Sequence, residues 1–148
     1  MQLLMERIEL SVRNSTAYQV KELDGGAQAL IAQVRSTDST QSDAPESQRC
    51  VGFVFDPSSE TVYYSTTTGV ANPSPVKAVA SNGTWSKDSW APFIQGLASD
   101  KGILTSAANG SLDVKYEIQP QDRRQAPVKF ESSFSPIWPN SNNRECFS

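Results

Sequence analysis

Residues 49–69 read RCVGFVFDPSSETVYYSTTTG. The run Cys50-Val51-Gly52-Phe53-Val54-Phe55 is short, almost uninterruptedly apolar, and rich in β-branched and aromatic side chains, which marks a mostly buried strand. Asp56-Pro57-Ser58-Ser59 supplies turn chemistry, because proline presets φ while Asp and Ser side chains bond nearby backbone. Glu60 to Thr68 then returns as the partner strand. This hairpin is the expected centre of an antiparallel sheet.

Upstream, Tyr18 to Leu23 and Ala27 to Val34 flank Asp24-Gly25-Gly26, a second hairpin signal in which glycine supplies the positive φ of a tight turn. Before it, Met1, Leu4, Met5, Ile8 and Val12 recur at helical spacing, so residues 1–17 read as a helix ended by Asn14-Ser15-Thr16. No Ser, Thr, Asp or Asn caps its start, which fits a helix whose earlier turns lie outside this sequence. Residues 36–48 carry no large apolar side chain and are expected to form a solvated loop.

Downstream, residues 69–88 contain prolines, glycine-bearing turns and little periodicity, and read as an irregular connection. Trp90, Phe93, Ile94 and Leu97 suggest one helical turn or a structured loop over the core. Leu112, Val114, Tyr116 and Ile118 then alternate with Asp113, Lys115, Glu117 and Gln119, the mark of a strand with one wet face. Val128, Phe130 and Phe134 repeat that pattern against Lys129 and Glu131, so opposite charges can pair across neighbouring strands. Arg123-Arg124 reads as a hairpin tip.

The 148 residues suit one domain (1–148), with the helix over 1–17 and a β-rich globular part over 18–148. Thirteen basic against sixteen acidic side chains give a net charge of −3, and this offers no basic field to a phosphate backbone. Direct nucleic-acid binding is therefore not expected. No run of apolar residues is long enough to span a membrane, and the opening MQLLMERIEL lacks the apolar core and small-residue cleavage site of a secretory signal.

The chain has no histidine at all. Ser/His/Asp and Cys/His mechanisms are excluded, and the commonest transition-metal ligand is missing. Two carboxylates can hydrolyse glycosides without histidine, but the acids here alternate out of amphipathic strands or fall in polar loops. Neither a catalytic residue, a metal site nor a cofactor is expected. Cys50 and Cys146 form no CxxC pair, and a thiolate nucleophile would need another activating base. Their expected role is a disulfide closing a loop of roughly 100 residues, worth about 4–5 kcal/mol in the chain-entropy account. Such a bond belongs to an oxidising compartment, and the Asn-x-Ser/Thr triplets at Asn14, Asn82 and Asn109 are compatible with export. Trp85 and Trp90, with Tyr63 and Tyr64, could stack on sugar rings, although burial beneath the connection accounts for them more readily.

The order MERIELSVRNSTAYQV (5–20), GGAQALIAQVRS (25–36), the 49–69 hairpin, WAPFIQGL (90–97) and LDVKYEIQPQDRRQAPVKFESSFSPI (112–137) resembles the globular part of type IV pilin-like minor pilins. It is similar to the J-type minor pseudopilins of type II secretion. The family's leader, Gly-Phe-[Ser/Thr]-Leu-x-Glu followed by about twenty apolar residues, is absent from this sequence. The resemblance implies an α+β fold, an N-terminal helix packed on an antiparallel sheet of about five to seven strands. It further implies a non-enzymatic filament subunit at the cell surface, priming assembly or standing at the tip, and held in the membrane beforehand by an N-terminal half helix missing here. Met1, Leu4, Met5, Ile8 and Val12 would then divide between the sheet and neighbouring pilin-like subunits, with loops 36–48 and 69–88 meeting a surface or glycan. The competing expectation is a secreted carbohydrate-binding or adhesive β-sandwich using Trp85 and Trp90.

Overall fold

The computed structural model describes residues 2–35, 48–68, 75–83, 85–98, 104–106, 110–119, 124–136 and 146. The chain runs α1 (Gln2–Arg13), β1 (Ser15–Glu22), β2 (Gln28–Arg35), β3 (Gln48–Asp56), β4 (Thr61–Thr68), α2 (Pro75–Asn82), β5 (Ala91–Gln95), β6 (Leu104–Ser106), β7 (Leu112–Ile118) and β8 (Val128–Phe134). Strands β1 to β5 form one antiparallel sheet in sequence order, and β6, β7 and β8 form a second.

This corrects the expected α+β fold of one helix on one sheet. Among the described residues, eight strands in two sheets accompany two α-helices, the longer of twelve residues, and the structure is predominantly antiparallel β. The physical reason lies in what periodicity encodes. Alternation along β7 and β8 reports one buried and one wet face, but it says nothing about which strands lie beside them.

Face parity organises the first sheet. Leu30 of β2, Val51, Phe53 and Phe55 of β3, and Val62 of β4 point to one side, where they meet Leu4, Ile8 and Val12 of α1 and Leu112, Val114, Tyr116 and Ile118 of β7. Ala29, Ile31, Cys50, Val54 and Tyr63 point to the other, against Val76, Val79 and Ala80 of α2, Trp90 and Cys146. The run VGFVF lacks alternation because both faces of β3 are covered.

The two sheets are joined near β5. Leu97 bridges Ile118, the Gln119 N–H donates to the Gly96 carbonyl at 2.8 Å, and the Gly96 and Leu97 N–H groups both donate to the Glu60 carbonyl. The buried Gln28 side chain also links the two sheets: its Nε2 donates to the Leu104 carbonyl at 3.1 Å and its Oε1 accepts from the Leu104 N–H at 2.9 Å. A side-chain amide has the donor and acceptor of a peptide group, so it can pair with one.

Three further expectations change. The helix ends at Arg13, and Ser15 already begins β1, its hydroxyl donating to the Val12 carbonyl at 2.6 Å. Within the supposed irregular connection lies α2, opened by Pro75 and closed by Gly83 at φ 70, whose N–H donates to the Val79 carbonyl. Proline at the first turn and glycine after the last are the usual terminal signals of a helix. The supposed turn at 90–97 contains β5, whose pairing with β4 shifts register between Val62 and Tyr63. That bulge turns consecutive Phe93 and Ile94 into the same core, which mimics helical spacing. Met1, residues 36–47 and 69–74, Asn109 and Arg123 lie outside the described residues.

Candidate functional site

Helix α1 crosses one face of the first sheet, and its two flanks differ. On its inner side Leu4, Ile8 and Val12 are fully buried, with half-buried Met5 packed against the same core. These residues, expected to divide between the sheet and other subunits, are brought together inside this chain. Met5 also carries the contact with the second sheet. The Tyr116 phenol hydrogen-bonds its backbone, and burial pushes the phenol pKa up from 10.0 to about 12 despite that bond.

The outer flank exposes two large apolar side chains, Leu3 at 58% and Leu10 at 59%. Beside them runs an open groove of about 270 Å³ between α1 and the first sheet, walled by Leu3, Arg7 and Leu10 on the helix and Val34, Arg49 and Tyr64 on β2, β3 and β4. Tyr64 is its aromatic lining residue and is backed by two further rings. Tyr64 lies 5.3 Å from Phe53 and 5.9 Å from Phe93 between ring centroids, and the Arg7 guanidinium stands 5.6 Å over Tyr64 and 5.9 Å over Phe93. A guanidinium over a ring face contributes about 0.5–1 kcal/mol where exposed, which biases Arg7 towards these rings. Glu6 also lines the groove, whereas Glu9 and Arg13 pair with each other at 3.1 Å.

Sequence reading missed Leu3 and Leu10 because the Leu4, Ile8, Val12 stripe already accounted for a helix. The signal was present: Leu3 and Leu10 lie two turns apart, on a second stripe offset from the first.

The other candidate residues are structural. Cys50 and Cys146 form a disulfide with Cα atoms 5.5 Å apart, and both are fully buried. The Gln33 side chain secures the same tail, its Oε1 accepting from the Cys146 N–H at 3.1 Å and its Nε2 donating to Thr16. Trp90, 4% exposed, lies against Gly52 in the second core, where its indole N–H has no hydrogen-bond partner among the described residues. Trp85 is half-buried, its ring 5.4 Å from Tyr63. Trp90 therefore presents no face to a sugar. Asn14 is exposed, but Thr16 of its triplet is buried and bonded to Gln33. Exposed Lys115–Glu131 and Lys129–Glu117 pairs at 3.7 and 3.9 Å cross β7 and β8, contributing a few tenths of a kcal/mol.

Among the described residues no group of three or more His, Cys, Asp or Glu side chains could hold a metal ion, and no helix is long and apolar enough to cross a membrane. Fold and groove together define a class: a two-sheet antiparallel β protein that carries a helix-flanked apolar groove. No known family, curated protein or solved structure matches the chain.

Proposed function

We propose that this chain is a non-catalytic structural subunit acting outside the cell, a minor-pilin-like or pseudopilin-like component of a type IV pilus or type II secretion-like filament. It primes assembly or stands at the tip, and a half helix ahead of α1 holds it in the membrane until the filament forms. The observation that carries this reading is the outer flank of α1, where Leu3 and Leu10 stay in water beside an apolar groove although the same helix has a fully buried inner stripe. Apolar surface that joins a groove and is rimmed by polar residues is the kind of surface partners dock on, and the leucines and groove form one such patch. The buried disulfide agrees with an oxidising compartment.

The test is made in the producing organism. Replacing Leu3 and Leu10 together with glutamate is expected to abolish surface filaments, or the secretion they serve, at unchanged levels of folded protein. The coding sequence ahead of Met1 is expected to specify a short basic leader, a Gly-aromatic-[Ser/Thr]-Leu-x-Glu junction and a long apolar segment. Normal filaments and secretion in the double variant, or an ordinary cleaved signal in place of that leader, would overturn the reading.

A further inference from the structure

The groove beside α1 is unevenly charged. Its ionisable lining is Glu6, Arg7 and Arg49, two cations against one carboxylate, although the chain as a whole carries a net charge of −3. Arg7 is engaged: its guanidinium stands over the Tyr64 and Phe93 rings, and Glu6 is its neighbour in the chain. Arg49 has no such company. It is exposed, its ladder neighbours are Val34 of β2 and Thr68 of β4, and among the described residues its side chain has no ion pair, hydrogen bond or ring contact.

We infer that the groove receives an acidic, apolar segment of a different subunit, which sets a carboxylate against Arg49 and an apolar side chain between Leu10, Val34 and Tyr64. A guanidinium fork suits a carboxylate, and the apolar walls beside it exclude water from the contact. The occupant is a stretch of chain, because the groove is longer than a small anion. Arg7 stands over Tyr64, whose ladder partner is Phe53, and Arg49 lies four residues before Phe53 on β3, about 13 Å along the strand. One small acid cannot touch both ends.

Charge also selects against the other occupants. A second copy presenting the same groove brings the same surplus of positive charge, and a basic segment meets two guanidiniums. At the Arg7 end Glu6 offsets one cation, so the unbalanced charge is at Arg49. The inference rests on the assembly reading of the outer flank of α1 and names the chemistry of the partner that fills it. A segment of a separate subunit reaches the groove without reversing α1, so it is compatible with a half helix ahead of that helix. A contact confined to this groove is smaller than the about 1,200–2,000 Å² of stable complexes, so by itself it is weak, reversible and sensitive to salt.

Fluorescence anisotropy of two labelled peptides titrated with the full chain tests the inference. Both peptides carry the same leucine spacing, one with glutamate and the other with lysine at every charged position. The glutamate peptide is expected to bind at least about tenfold more tightly, with an advantage that shrinks in high salt. Arg49→Glu should abolish that preference and Arg49→Gln should reduce it, with unchanged circular dichroism in both variants. Equal binding of the two peptides, binding of neither, or a full preference in Arg49→Glu would overturn the inference. Sedimentation of the chain alone should show a monomer; a dimer lost in Arg49→Glu would give the groove to a second copy and also overturn it. In the producing organism Arg49→Glu should lose filaments as the Leu3 and Leu10 double variant does. If Arg49→Glu assembles normally and the leucine variant does not, the acidic partner falls and the assembly reading stands. If the glutamate peptide binds through Arg49 while the leucine variant still builds filaments, the assembly reading falls and the charge preference of the groove stands.

Discussion

At Gly52 the backbone of β3 comes so close to the Trp90 ring that a Cβ atom built there would lie 2.5 Å from Cη2 and 2.9 Å from Cζ3. Neither side can yield, because Trp90 is buried and Val76 of α2 stands 3.4 Å away from the same point. A glycine inside an otherwise apolar strand is a sign of close approach, and that much is legible in CVGFVF. The identity of the approaching group is not, since Trp90 arrives from the far side of α2. Gly52→Ala is expected to cost about 1–3 kcal/mol, as overpacked cores do, and urea denaturation of the variant against the parent measures it. Equal midpoints and slopes would show that the indole moves aside freely.

Elements in this molecule are held by groups from distant parts of the chain. Helix α2 has only Val76, Val79 and Ala80 as its apolar stripe, and its eight residues would not persist alone in water. It is fixed by packing on β3 and β4 and by the Lys21 ammonium, which donates to the Ala80 carbonyl at 2.9 Å. The tail reaches the same face through Cys146, tied to Cys50 of β3 and hydrogen-bonded by Gln33 of β2. Replacing both cysteines with serine is therefore expected to cost about 2–5 kcal/mol and to loosen the α2 face before the α1 face. Hydrogen exchange resolves the two faces: faster exchange in β7 than in the α2 segment would contradict this assignment. The cysteines themselves were readable as a disulfide because no histidine or other partner offered them chemistry. That Gln28 pairs with the Leu104 peptide and Gln33 holds the Cys146 tail was hidden, since a glutamine in a strand reads as a solvent-facing residue.

Taken whole, the molecule joins its first helix to its second sheet: Tyr116 hydrogen-bonds the Met5 backbone of α1, and the Phe130 ring is stacked 5.0 Å from the phenol ring. Burial raises the phenol pKa from 10.0 to about 12, so between these pH values the unfolded chain releases a proton that the folded chain keeps. Stability is then present below pH 10 and is lost as pH rises towards 12. Tyr116→Phe should flatten that alkaline decline while lowering stability at neutral pH through the lost hydrogen bond; chemical denaturation at several alkaline pH values gives both. A decline of unchanged slope would place its origin elsewhere. By itself the sequence determined the hairpins around Asp24-Gly25-Gly26 and Asp56-Pro57-Ser58-Ser59, the wet and dry faces of β7, the inner stripe of α1 and the pairing of its two cysteines; on β8 it held for Phe130 and Phe134 but not for Val128, which is 46% exposed. Those are written in local periodicity, turn chemistry and the lack of alternatives. Only the tertiary structure decided that β6, β7 and β8 form a second sheet, that Phe93 bulges into the core, that Trp90 fills the space over Gly52 and that Leu3 and Leu10 remain outside. Each of these depends on which surfaces meet, and a repeating pattern of apolar residues fixes which face is buried without fixing what covers it.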